Sequence, residues 1–434
     1  MLQTLFFSNS LSACSNGSCQ LAEPCSMASD CGSGLYCGNC PPTGNTQPIC
    51  IRGQVVQPTS IMKGLPFNKY SWLVTHNSFS IVNAPLLLGV QRVTFYNQED
   101  TVTNQLMNGV RGLMLDMYDF EDDIWLCHSL HGQCFNFTAF EPALNTLKEV
   151  EAFMSKYPTE IVTIIIEDYV HTPNGLTKVF TAAGLQKYLF PVSKMPKNGE
   201  DWPTVTDMVA DNHRLLVFTS IASKEADEGI AYQWRYMVEN DSGDPGIVQG
   251  TCPHRPESEP LNTRKASLFF QNYFPTYPVQ DEACKEHSVG LYEMVGACYK
   301  ASAGMMPNFL GVNFYMRSNG GGAFDVVDRM NGQSLCGCST ISACQAGEPV
   351  GSCKNTTSAN KSPSAAANGH GSFDGYVQLS GTSSPAHFMN IIIFNLIYFS
   401  IVTDQVSFCQ DSFMVQVVRC RWNWKSYSSV SLVG

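Results

Sequence analysis

The feature that most constrains this chain is a series of short, nearly unbroken apolar runs. Several of them end in a histidine or a carboxylate. Leu73-Val74-Thr75 stops at His76-Asn77, and Val110 to Asp116, Ile124 to His128 and Ile161 to Glu167-Asp168 follow. Arg214 to Thr219, Ser267 to Gln271 and Phe309 to Tyr315 continue the series. Strand-length runs with apolar residues on both faces are what buried parallel strands require. Helical patterns lie between them. Phe140, Leu144, Leu147, Glu151 and Met154 recur at spacings of three and four, with Thr138-x-x-Glu141 read as their capping box. Thr204-x-x-Asp207 reads as another helix start. This alternation over residues 60–335 predicts an α/β barrel.

In such a barrel, active sites form where strands run into their following loops. His76-Asn77, Asp116, His128 and Glu167-Asp168 then share one end of the molecule. Two imidazoles can divide general-base and general-acid work, because their ordinary pKa lies near 6.5. The amide oxygen of Asn77 and the carboxylates of Asp116 and Glu167 are hard donors that suit Ca²⁺ or Mg²⁺. A cation beside two histidines points to phosphodiester cleavage.

Seven of the 18 cysteines fall in residues 14–50. That density points to an oxidising compartment, secreted or at the cell surface. Zinc is the alternative, since Cys37-x-x-Cys40 has finger-like spacing, but no second close pair and no histidine lie in the segment. Residues 14–52 therefore read as a disulfide-rich module, with one of its seven cysteines left to pair elsewhere or stay free. Cys336, Cys338, Cys344 and Cys353 form a second cluster over 336–353. Sequons at Asn16, Asn136, Asn240, Asn355 and Asn360 agree with a secreted glycoprotein. With 37 acidic against 26 basic residues, the chain lacks the basic excess of a nucleic-acid binder.

The ordered set Thr75-His76-Asn77-Ser78-Phe79, Gly109 to Asp116, the run ending at His128, and Ile164-Ile165-Ile166-Glu167 resembles the catalytic domain of phosphatidylinositol-specific phospholipase C. The chain is most similar to the plant PLC-like phosphodiesterases that carry an N-terminal Cys-rich module. Phe309 to Tyr315 followed by Gly320-Gly321-Gly322 is also similar to that group. The resemblance covers about residues 14–345. It implies a distorted TIM barrel acting on a phospholipid or other phosphodiester at a membrane surface. His76 would be the base that activates a substrate hydroxyl, giving a cyclic phosphate, and His128 the acid that protonates the leaving oxygen. Asn77, Asp116 and Glu167 match three of four calcium ligands. Met114 stands where the second ligand, a carboxylate, would be expected, leaving Asp119 or water to complete the set. Asn313 stands where bacterial members carry an aspartate that orients the base. These departures motivate an alternative reading, a catalytically weak barrel that binds lipid head groups or cell-surface partners.

Lys224, Asn272, Tyr273 and Arg317 are further candidates for substrate contact. Arg111 reads as a structural ion-pair partner, His131 as a rival acid, and Gly320-Gly321-Gly322 as a tight turn. Residues 1–13 resemble a truncated signal segment without a basic start. Residues 354–387 read as a flexible linker. The apolar stretch Phe388 to Val402 is shorter than the roughly 20 residues a spanning helix needs. With its linker it resembles a GPI-attachment signal, except that a further tail, 403–434, follows it. Nothing in the sequence specifies an oligomeric state.

Overall fold

A computed structural model describes residues 14–86, 90–129 and 132–354. His131, segment 1–13, the sequons at Asn355 and Asn360, and the linker and tail from Asn355 onward lie outside the described residues.

The N-terminal module is a small antiparallel hairpin, β1 (Leu35–Cys40) and β2 (Asn45–Arg52), with loops tied to it. Three disulfides lie within it: Cys14–Cys19, Cys25–Cys37 and Cys31–Cys50. Its only apolar cluster consists of cysteines with Leu35, so the bridges take the place of a core. The odd cysteine leaves the module: Cys40 is bonded to Cys284 in the barrel.

The barrel strands are β3 (Trp72–Thr75), β4 (Gly112–Phe120), β7 (Val162–Tyr169), β8 (Leu215–Thr219), β9 (Ala231–Tyr232), β10 (Met237–Glu239), β11 (Leu268–Tyr273) and β12 (Phe309–Val312). They run in the order β10-β11-β12-β3-β4-β7-β8-β9, and every neighbouring pair is parallel. Two short strands, β5 (Asp123–Cys127) and β6 (Ala139–Pro142), extend β4 outward as antiparallel partners. No ladder joins β9 to β10 among the described residues, so the barrel is open at that seam. This is the distorted TIM barrel expected from the sequence.

Strand alternation separates two cores. Trp72, Val74, Ile165, Phe218, Met237, Phe270 and Phe309 fill the interior. Leu113, Leu115, Ile164, Ile166 and Val217 face outward onto helices Ala143–Lys156, Leu291–Ala301 and Gly322–Cys336. The second cysteine cluster forms the bridges Cys336–Cys344 and Cys338–Cys353, and packs with Tyr70 and Trp72 where the strands begin.

Three sequence expectations are corrected. The run ending at His128 is not a barrel strand: β5 is antiparallel to β4, so His128 arrives on a hairpin that folds back over the mouth. Thr138-x-x-Glu141 is no capping box. The helix starts at Ala143 after Pro142, and residues 139–142 pair with β5 instead. The sequon at Asn240 is unavailable for glycosylation, because that side chain is fully buried and its amide donates to the Asn272 carbonyl at 3.1 Å. Asn16 and Asn136 are exposed. The Thr204 start holds, its hydroxyl accepting from the Asp207 amide at 3.1 Å.

The fold buries His287, whose Nδ1 is 2.9 Å from the Arg317 carbonyl. Burial pushes its pKa down to about 4. Below pH 6.5 the unfolded chain therefore takes up a proton that the native ring refuses, and stability falls as pH falls toward 4. Between pH 7 and 5 this one group should cost about 2 kcal/mol. Urea unfolding of wild type and His287→Gln at both pH values checks it: the variant's stability should vary less by that amount.

Candidate active site

The pleat of the barrel places alternate residues in one interior layer. A Cβ at Gly112 would lie 2.4 Å from the Val74 side chain, so Gly112, Met114 and Asp116 face inward on β4. Ile165 and Glu167 do the same on β7, with Asp116 and Glu167 in register. At the mouth this layer comprises His76, Asp116, Glu167, Glu239, Asn272 and Asn313. Asp168, on the opposite pleat, accepts from Thr219 at 2.7 Å and is no part of it.

His76 is held on its Nδ1 side. Asn313 Oδ1 lies 2.8 Å from Nδ1 and also accepts from the Asn97 amide at 3.0 Å. The Asn97 amide nitrogen also lies 3.2 Å from Nδ1, but the shorter Asn313 contact is to an oxygen that only accepts, so a proton on Nδ1 satisfies it and leaves the Nε2 lone pair available. Phe274 stacks on the ring, with centroids 3.7 Å apart. Burial holds the imidazole well below its ordinary pKa, with the Asn313 hydrogen bond opposing and the charges of His128 and Arg255 adding to the effect. His128 Nδ1 contacts the Phe95 carbonyl at 2.9 Å, which fixes the same tautomer. Burial lowers its pKa too, against the Phe95 hydrogen bond and the charge of Glu167. Both rings are thus anchored through Nδ1. Among the described residues, neither Nε2 has a hydrogen-bond partner.

Asn77 adopts a left-handed backbone, φ +43°, directly after His76. With its nitrogen toward Asp116, its amide donates to both carboxylate oxygens, at 2.8 and 3.3 Å. In the reverse orientation its oxygen lies against that carboxylate with no proton between. Burial and the Glu167 charge push the Asp116 carboxyl well up. Glu167 is exposed and accepts from the Tyr169 hydroxyl. An amide and two carboxylates, offering their oxygens once the Asn77 amide turns over, are the hard donor set that a divalent cation takes. Met114 packs against the interior core and adds no oxygen. Asp119 is occupied by the backbone amides of His171 and Thr172, at 2.6 and 3.0 Å.

The remaining candidates are engaged within the fold. Lys224 pairs with Glu228 at 2.7 Å. Arg317 pairs with Glu99 at 2.8 Å and Asp281 at 3.0 Å. The Tyr273 hydroxyl donates to the Glu286 carbonyl at 3.1 Å. Asn272 donates to Glu239 at 2.8 Å, although its own Oδ1 is buried without a partner. Arg111 is the structural ion-pair partner expected.

Four residues at the mouth escaped the sequence. Asn97 lies in a loop with no pattern. Phe274 comes three residues after Gln271, the strand end that the apolar run implied. Glu239 ends a strand of only three residues, too short for periodicity to reveal. Its carboxylate accepts from Gln233 at 2.9 Å and Trp234 at 2.7 Å across the open seam. Arg255 follows in the next loop, 3.6 Å from Glu239 and 3.0 Å from Glu257. Its charge acts on His76, Asp116 and Glu167 together.

Comparison with known proteins gives the chain a family. The PI-PLC X family, under the description PI-PLC X 1, matches residues 74–271. A PI-PLC X domain-containing protein of Arabidopsis thaliana is 67% identical over 399 residues, covering 91% of this chain and 93% of its own. PI-PLC X domain-containing protein 1 of Arthroderma benhamiae is 29% identical over 160 residues, covering 35% of this chain and 46% of its own. Among solved structures, the phosphatidylinositol-specific phospholipase C from Listeria monocytogenes shares 16% identity at a TM-score of 0.41, over 63% of this chain and 97% of that one. With the first of these relatives matching nearly end to end, the chain belongs to the PI-PLC X domain-containing proteins.

Proposed function

We propose that this protein is a phosphodiesterase of the phospholipase C type, cleaving a phosphoinositide-type head group through a cyclic phosphate. The observation that carries the reading is the pair of imidazoles at one mouth, each anchored through Nδ1 with no partner on Nε2 among the described residues. His76 Nε2 takes the proton of a hydroxyl beside the phosphodiester, and that oxygen bonds to phosphorus. The bond from phosphorus to the leaving oxygen breaks as His128, protonated, gives that oxygen its Nε2 proton. The substrate's negative charge supports the protonated form of His128 against its burial. Asn77, Asp116 and Glu167 would hold Ca²⁺, which supplies positive charge to the phosphate when bound. Arg255 supplies fixed positive charge at the same mouth.

A membrane surface fits as partner. Leu86, Phe135, Ile221, Val248, Tyr277 and Val279, all in loops that follow strand ends, are 40–52% exposed. Large apolar side chains gathered around a mouth favour an apolar phase. The disulfides fit a secreted or cell-surface protein. No helix among the described residues is long and apolar enough to cross a membrane.

Phosphorus NMR of the protein with phosphatidylinositol vesicles tests the reading. The expected result is a cyclic inositol phosphate signal, reduced when a chelator removes calcium. A signal indifferent to chelator keeps the histidines and removes the cation. The absence of any product from folded protein that still binds the vesicles would favour the head-group-binding alternative, which Met114 and Asn313 motivate. In the same assay Arg255→Met should lower kcat/KM by about 10²-fold, with Arg255→Lys between the two. Equal rates in all three would exclude Arg255 from phosphate contact.

A further inference from the structure

We propose that the Cys-rich module is a positioning device for the base. Through Tyr36 and the Cys40–Cys284 bridge it clamps the turn 313–320 that aims Asn313 at His76. The proposal rests on His76 being the general base.

The turn starts directly after β12. Phe314 has φ +42°, a left-handed conformation that is costly for an aromatic residue. Such backbone persists only where its surroundings over-determine it. From the barrel side, the Phe314 amide donates to the Asn97 carbonyl at 2.7 Å, and Arg317 is gripped by Glu99 and Asp281. The Tyr315 hydroxyl also donates to Asp100 at 2.8 Å, the Arg317 carbonyl faces His287 at 2.9 Å and the Asn319 backbone amide donates to the Ser288 hydroxyl at 3.2 Å. Further restraints come from the module hairpin. The Tyr36 hydroxyl donates to the Met316 carbonyl. The Asn45 amide donates to Asn319 Oδ1 at 3.0 Å, and the Arg52 amide to the Gly320 carbonyl at 2.8 Å. Cys40 ties this hairpin to helix Gln280–Lys285, the helix that carries Asp281. The turn is thus held between two bodies that one disulfide locks together.

What is held matters to the chemistry. Asn313 Oδ1, one residue before the strained position, keeps the His76 proton on Nδ1. If the turn relaxes, the imidazole is free to carry its proton on Nε2 instead. In that tautomer it cannot take a proton from a substrate hydroxyl. Tyr36 is therefore a positioning residue, acting through Met316 and Asn313.

Three variants of the full chain test this: Tyr36→Phe, the pair Cys40→Ser with Cys284→Ser, and a control pair Cys14→Ser with Cys19→Ser that opens a bridge within the module. The measurements are amide exchange at Phe314 and Tyr315, the nitrogen chemical shifts of the His76 ring at fixed pH, and turnover. In the first two, exchange should quicken about tenfold. Their His76 shifts should move toward a tautomer mixture, and kcat should fall about tenfold with KM within about twofold of wild type. The control should match wild type in all three. Unchanged exchange and shifts in Tyr36→Phe would overturn the clamp, as would equal changes in the control. Altered exchange and shifts with unaltered turnover would uphold the clamp and overturn the role of His76 instead. Tyr36→Phe keeps every disulfide, so the test stands even if the double serine variant fails to fold.

Discussion

Replacing His76 with alanine should lower the rate of phosphodiester cleavage by about 10²–10⁴-fold and leave the fold intact. The size of the loss follows from the ring's position. Its Nδ1 is fixed by Asn313, and its Nε2 has no hydrogen-bond partner among the described residues. Alanine removes the proton acceptor together with the stacking partner of Phe274. That packing loss is local and should cost on the order of 2 kcal/mol. His128→Ala should be comparably slow. Because the proposed mechanism puts both rings in one transition state, the double variant should be little worse than either single one. Rates by phosphorus NMR and near-ultraviolet circular dichroism decide between loss of chemistry and loss of fold. Full activity in His76→Ala would remove the two-histidine mechanism.

Arg111→Met should destabilise the barrel by about 3–5 kcal/mol. Arg111 is buried just before β4, and its guanidinium pairs with Glu160 at 2.7 Å. It also donates to the Leu106 and Val110 carbonyls, at 2.7 Å each, and lies over the Phe153 ring at 4.8 Å. Methionine keeps much of the stem packing. It leaves the buried Val110 carbonyl without its donor, the Leu106 carbonyl with the Gly109 amide at 3.1 Å in place of two donors, and a largely buried carboxylate without its cation, which is the expensive outcome. Chemical unfolding should show a lower midpoint with an unchanged slope. A loss below about 1 kcal/mol would mean that water or Glu160 relaxes into the vacated space.

The parts of this protein visible in its sequence are those with long, regular signals. β4 and β7 are eight or nine residues long and strongly apolar, and both were legible with their inward carboxylates. β9 and β10 have two and three residues, and no periodicity can be read from so few. His128 was recognised as a mouth residue for an incorrect geometric reason. A five-residue apolar run looks the same whether it pairs parallel in a barrel or antiparallel in a hairpin. Asn97, Phe274 and Arg255 act on His76 from loops, and only the closed chain brings them together. The odd cysteine count announced a bridge out of the module, but not that its partner would be Cys284.

The open seam has a consequence for how this barrel can diversify. A main-chain ladder is indifferent to which side chains its strands carry. Where β9 and β10 lack one, Gln233 and Trp234 reach Glu239 and take over the closure. Girth at the mouth is then written in the identities of three residues. An exchange at any of them would widen or narrow the entrance, and so change which ligands fit, with no change to His76 or His128.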